Sequence, residues 1–89
     1  MTTKKFTITV YTDPGHSWGK LKRDVLYSLN VAHLISEYSY QYGDNVYLEE
    51  DCDLPIVMAA LESTGAAIVF REKHSNTDSK IRSYERYSF

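Results

Sequence analysis

The sequence predicts an α+β domain: a ferredoxin-like β-α-β-β-α-β sandwich, with two helices on one face of an antiparallel sheet and a C-terminal extension. Three observations carry that prediction. Apolar side chains alternate with a period of two in some stretches and recur at helical spacing in others. The two kinds interleave in the order strand, helix, two strands, helix, strand. At 89 residues, 43% of them apolar, the chain is one domain, 1–89, just large enough to bury a core without metal or disulfide.

Each element has its own physical reason. In "KFTITVYT" (5–12), Phe6, Ile8 and Val10 alternate with Thr7, Thr9 and Tyr11, and the β-branched content makes this a strand. "DPGH" (13–16) stops it, because proline lacks a backbone donor and glycine permits positive φ. "GKLKRDVLYSLN" (19–30) sets Leu21, Val25, Leu26 and Leu29 at helical spacing, with Asn30 as a left-handed stop. "VAHLIS" (31–36) is a short apolar linker or helical turn. "EYSYQYGDNVYLEE" (37–50) reads as a hairpin: Tyr38, Tyr40 and Tyr42 alternate, Gly43-Asp44-Asn45 turns, and Val46-Tyr47-Leu48 returns. "DLPIVMAALESTG" (53–65) is the second helix, with Asp53 as its cap, Pro55 in its first turn and Gly65 at its end. "AAIVFREKH" (66–74) is a further strand. The last stretch, 75–89, is polar with scattered aromatics and reads as a tail laid over the domain or an extra edge strand.

Charge is divided along the chain. Between residues 24 and 70 there is no lysine or arginine, while Asp24, Glu37, Asp44, Glu49, Glu50, Asp51, Asp53 and Glu62 all fall there; the basic residues lie towards the two ends. The net charge is −2. This division argues against direct nucleic-acid binding, which needs dominant basic residues. An acidic middle suits a basic protein surface instead, unless the basic ends fold back to neutralise it. Asp44, Glu49, Glu50, Asp51 and Asp53 are the candidate contacts. Tyr38, Tyr40, Tyr42 and Tyr47 would supply contact area at little cost in side-chain entropy.

Other chemistries have less support. One cysteine and three scattered histidines offer no zinc spacing, and "EEDCD" lacks the glycine and ligand ladder of a calcium loop. No metal or cofactor is therefore expected. Cys52 lies between Asp51 and Asp53, whose charge opposes thiolate formation. No phosphate loop, nucleophile elbow or paired-carboxylate frame is present. The alternative to a protein partner is a small enzyme or ligand-binding domain with a pocket built around His16, Trp18, Cys52, His74 and Arg82. A third reading takes the tail "KIRSYERY", where Lys80, Arg82 and Arg86 interleave with Tyr84 and Tyr87, as a stacking surface for single strands. The simpler expectation is that these cations fold the tail back over the acidic middle. A lone cysteine suits a reducing compartment. The start "MTTKKFTITV" has no secretory apolar run, and no stretch reaches the ~18 apolar residues of a membrane span. The expected location is cytoplasmic.

The segments "TDPGHSW", "ISEYSYQYGD", "VYLEEDCD" and "KHSNTDSKIRSYERY" together resemble a group of small proteins carried by bacteriophages and mobile elements, in which "DPGH-x-W", "ISxYSYQ", "YLEEDCD" and "S-x-IR-x-Y" recur. The resemblance runs over most of the chain, and "YLEEDCD" is its most specific part. It implies an origin and carries over no catalytic residue. Short phage proteins without enzyme motifs often bind and inhibit a host factor, including CRISPR and restriction systems. The expectation is an anti-CRISPR-like inhibitor acting in the host bacterial cytoplasm, whose acidic, tyrosine-rich surface meets a nucleic-acid-handling complex.

Overall fold

The computed structural model describes residues 5–89. Six strands and two helices follow one another as β1 (Lys5–Thr12), β2 (Ser17–Lys22), α1 (Arg23–Ser28), β3 (Tyr40–Tyr42), β4 (Asn45–Glu49), α2 (Leu54–Ser63), β5 (Ala67–His74) and β6 (Glu85–Arg86). Single 3-10 turns occupy Ala32–Leu34 and Lys80–Ser83. The strands form one sheet in the order β5-β1-β2-β4-β3-β6.

The class is α+β, as expected, but the sheet is mixed. The β1–β5 pair is parallel, whereas β1–β2, β2–β4, β3–β4 and β3–β6 are antiparallel. The antiparallel ferredoxin-like arrangement is corrected accordingly. Its cause is β2, a strand where helical spacing predicted the start of the first helix. Residues 17–22 alternate Trp18 and Lys20 with Gly19 and Leu21, and this period of two is masked by the lysines. A short hairpin joins β1 to β2 across the 13–16 turn, setting Thr12 opposite Ser17 and Tyr11 opposite Trp18. The helix begins only at Arg23. With β2 antiparallel to both neighbours, β1, β4 and β5 all run the same way. The β4-α2-β5 segment is therefore a crossover unit that needs its intervening helix.

Backbone stops lie where the composition placed them. Asn30, Gly43 and Gly65 have φ of 57°, 58° and 85°. Gly43 turns the β3–β4 hairpin, and Gly65 follows the end of α2.

Two apolar clusters lie on opposite faces of the sheet. On the helix side, Ile8, Leu21, Val46 and Leu48 meet Leu26 of α1 and Leu54, Val57 and Leu61 of α2. Val31, Ala32, Ile35 and Tyr87 complete that core. On the other side Trp18, Tyr47 and Ile81 are buried, with Tyr11, Tyr40 and Tyr84 packed around them. Ile81 and Tyr84 come from the C-terminal segment. That segment lies over the second face and then adds β6 to the edge at β3, so both readings of the tail apply to it.

Candidate functional site

The 13–16 turn is organised by Asp13, a buried carboxylate. Its Oδ1 accepts from the backbone N–H groups of Gly15 and His16, both at 3.0 Å. Such side-chain closure of a turn is what Asp does readily. The same carboxylate reaches across the molecule. Arg82 donates to it through Nε at 2.7 Å and a terminal nitrogen at 2.9 Å, and the Ser79 N–H donates at 2.9 Å. The guanidinium, foremost, holds the Asp13 carboxyl well below the usual carboxylate range. A β-carbon on Gly15 would lie 2.8 Å from the Arg82 guanidinium, so glycine at that position leaves the fork room.

The Arg82 guanidinium also lies over the Trp18 ring, 5.4 Å from its centroid. Trp18 is buried, with His16 tilted against it at 6.0 Å and Tyr40 edge-on at 6.2 Å. Arg86 lies over Tyr40 at 5.2 Å and donates to the Glu37 carbonyl at 3.2 Å. Sheet register explains the grouping: Trp18 stands opposite Glu49, and Tyr40 stands opposite both Tyr47 and Arg86.

At the end of β4 the chain turns into α2 through residues 50–53. Glu49 Oε2 accepts from the N–H groups of Asp51 at 3.0 Å and Cys52 at 2.9 Å. Its Oε1 lies 3.9 Å from His16 Nδ1, too far for a hydrogen bond. Cys52 is exposed, and the neighbouring Glu49 carboxylate is the first cause that pushes its thiol up. A thiol so placed is a poor nucleophile at neutral pH.

These side chains surround an open cleft of about 490 Å³, lined by His16, Trp18, Tyr38, Tyr40, Glu49, Asp51, Cys52, Arg82 and Arg86. Its size is within the usual range for ligand sites, roughly 300–1,000 Å³. Four of the five residues expected to share a pocket do so: His16, Trp18, Cys52 and Arg82. His74 does not; it ends β5 opposite Thr12, outside the cleft. Among the described residues, no group of three or more histidine, cysteine or acidic side chains is placed to hold a metal ion.

The expected acidic, tyrosine-rich surface is divided. Asp53 is 1% exposed. It stands at the capping position of α2, but its side chain caps nothing. Its Oδ1 accepts from the Ser36 N–H at 3.0 Å, and its Oδ2 from the hydroxyls of Ser36 at 2.7 Å and Ser39. Its work is to fasten the 36–39 loop to α2. Glu49 is 8% exposed and Tyr47 is 6% exposed. Burial, foremost, pushes the Tyr47 hydroxyl up to about 12. These three residues are thereby withdrawn from an open contact surface, although Glu49 still lines the cleft. Tyr42 is exposed and stacks on Tyr84, 4.7 Å between centroids. Asp44 is exposed in the β3–β4 turn, at the far end of β4 from Glu50, about 20 Å away at the ordinary strand rise. Tyr38 and Asp51 remain exposed in the cleft lining, and Glu50, outside that lining, is exposed next to Asp51 in the chain.

The basic tail borders the same cleft as Glu49 and Asp51 through Arg82 and Arg86, but among the described residues makes no direct ion pair with the acidic middle. Arg82 pairs with Asp13, and among the described residues no other lysine or arginine forms an ion pair with a carboxylate. Sequence reasoning missed Asp13, Ser36, Ser39, Ser79 and the place of Arg86 in the cleft. The "DP" turn signal marked Asp13 as a local residue, and nothing local pointed to an arginine 69 positions away.

No helix of the described residues is long and apolar enough to cross a membrane. Compared with protein-family models, with curated proteins and with solved structures, the chain finds no match.

Proposed function

We propose that this protein is a small non-enzymatic binding protein that engages a host protein complex with a basic surface. Its contact region is the corner where Tyr38 and Asp51 line the cleft and the adjoining Glu50 is exposed. One observation carries the reading: Glu50 and Asp51 are exposed and have no lysine or arginine partner among the described residues, beside a concave aromatic wall. Unpaired carboxylates around such a wall favour a cationic partner, through complementary potential and charge-assisted hydrogen bonds. The raised thiol of Cys52 speaks against a nucleophile-and-base pair. The resemblance to phage-borne proteins suggests the kind of partner, a nucleic-acid-handling defence complex of the host cytoplasm, and the outcome, inhibition.

The test is capture of a CRISPR effector complex by the tagged protein from a bacterial lysate, read by mass spectrometry. The double variant Glu50→Lys, Asp51→Lys should lose the complex and keep its circular dichroism spectrum. Undiminished capture by the folded double variant would remove the reading.

A second reading, a small-ligand pocket, is favoured by the convergence of His16, Trp18, Cys52 and Arg82 on one cleft. It makes the opposite prediction for the same assay. His16→Ala should then abolish function, while charge reversal at Glu50, which is not in the cleft lining, leaves it intact.

A further inference from the structure

Folding collects on one sheet face cations that the sequence spreads over both ends of the chain. Arg71 is in register with Thr9, Thr9 stands opposite Lys20, and Lys20 stands opposite Tyr47. Residues paired across strands share a face, and alternate residues along a strand return to it. Lys5, Lys20, Lys22, Arg71 and Lys73 therefore all stand on the face that carries Trp18 and Tyr47. The C-terminal segment covers only part of it, through Ile81 and Tyr84 packed with Trp18 and Tyr47. Lys5, Lys22, Arg71 and Lys73 are exposed, and Lys20 is half-buried. Among the described residues none of the five forms an ion pair, and none lines the cleft. Among the described strand residues of this face the single carboxylate is Glu49, at the cleft end. From the level of Lys5 to Lys73 the patch runs about 20 Å along β5, at the ordinary strand rise.

Aromatic rings lie beside these cations. Tyr11, Tyr47, Tyr84 and Tyr42 form a row across the sheet, with successive centroids 6.1, 5.1 and 4.7 Å apart. Lys73 lies over the Tyr11 ring at 5.9 Å, and Tyr42 is 63% exposed. Between β1 and β2, where pairing covers only Thr9–Thr12 of β1, Thr7, Thr9, Lys20, Lys22 and Asn45 border a groove of about 240 Å³. Asn45 Oδ1 is buried without a hydrogen-bond partner, so a residue of that lining carries an unmet acceptor.

Unpaired cations attract a polyanion, and rings beside them take the flat faces of unstacked bases. A duplex hides its base faces and would use the cations alone. A bilayer needs a protruding apolar set, and on β1, β2 and β5 this face exposes only Ala67 and Val69 of that kind. We propose that this open sheet face binds single-stranded nucleic acid, with phosphates on Lys20, Lys22, Arg71 and Lys73 and bases against the tyrosine row. This binding goes beyond the cleft reading and does not depend on it. The charge division along the sequence weighs against nucleic acid only while charges are counted by segment; in the fold these cations share one face.

The probe is a fluorescein-labelled oligothymidylate of about 12 nucleotides, followed by fluorescence anisotropy from about 50 to 200 mM salt. Binding should be saturable, with a log–log salt slope of roughly −2 to −3.5, as three to five neutralised phosphates give. Lys20→Gln, Arg71→Gln should weaken binding about tenfold at low salt and make the slope shallower by about 1.4. Ala59→Glu, Ser63→Glu changes the net charge equally on exposed positions of α2, across the sheet, and should leave affinity within about twofold. Tyr42→Ala should weaken binding and keep the slope. Circular dichroism checks each fold, and Lys22→Gln, Lys73→Gln replaces the first pair if that pair unfolds.

Absence of binding at low salt, an equal loss in the α2 variant, or unchanged affinity in the folded face variants would overturn the proposal. So would tighter binding of a duplex or of phosphatidylserine vesicles than of the oligothymidylate. Equal affinity for inorganic polyphosphate, which has charge and no bases, would overturn it as well.

Discussion

Asp13 ties together two parts of the chain that are distant in sequence, through five hydrogen bonds from Gly15, His16, Ser79 and Arg82. The linkage sign follows from its depressed acidity. A carboxyl whose folded pKa lies below its unfolded value, ~3.9, contributes stability that is fully present above that value. The contribution is lost as pH falls through the folded value. Asp13→Asn should therefore be less stable than the parent at pH 7. The gap should narrow as pH drops below about 4, in the window set by the unfolded value. Urea midpoints from pH 7 to pH 2 check this; a gap that stays constant with pH would mean that the charge of Asp13 contributes nothing. This was the least legible residue of the site. The sequence marks Asp13 as a turn residue, while its partners at 79 and 82 depend on how the tail crosses the sheet. The reverse holds for Asp53, whose position before "LPIVM" looks like a cap, although its oxygens turn to Ser36 and Ser39.

Strand β2 shows how an element becomes misread. Leu21 and Val25 satisfy a helical template, as does Leu21 with Leu29, but Leu21 packs as a strand residue and Leu26 as a helix residue in the same core. The boundary at Lys22–Arg23 is marked by no cap side chain, so periodicity alone had nothing to divide the run. Gly19 faces α2 from this strand. A β-carbon there would lie 2.7 Å from Leu54 Cδ1 and 3.3 Å from Ile8 Cγ2, so glycine lets α2 sit close against the sheet. Gly19→Ala should cost about 1–3 kcal/mol through overpacking, measured by urea unfolding. Leu54→Ala should cost about 2–5 kcal/mol alone. The double variant should cost less than the sum, because truncating Leu54 makes room for the added methyl. Strict additivity would place the strain elsewhere. By contrast β1, α2 and β5 were legible, and so was the β3–β4 hairpin except that its first strand starts at Tyr40 and leaves Tyr38 in the preceding turn; each has a glycine or proline near a boundary.

Across the whole molecule, the C-terminal segment joins two cores that the sheet keeps apart. Ile81 and Tyr84 pack on the Trp18 side, and six residues after Ile81 the Tyr87 ring enters the helix-side core, where its hydroxyl donates to the Ala32 carbonyl at 2.6 Å. The sequence offered a tail or an edge strand as alternatives, since a short polar stretch with spaced aromatics has no period to reveal which sheet face it covers. The chain does both, and its cations contribute more to that path than to any meeting with the acidic middle: Arg82 holds Asp13, and Arg86 covers Tyr40. A segment anchored on both faces should unfold with the sheet rather than peel away first. Ile81 is 2% exposed, so Ile81→Ala should cost about 2–5 kcal/mol, a large share of a small domain's stability. Trp18 fluorescence reports the second core and far-ultraviolet circular dichroism the helices and sheet. In a cooperative molecule the two transitions coincide, and in Ile81→Ala both shift together to lower urea. A fluorescence transition that precedes the dichroism transition in the parent protein would mean that the tail detaches from an otherwise folded sheet. It would also mean that the cleft, bordered by Arg82 and Arg86, opens without unfolding of the domain.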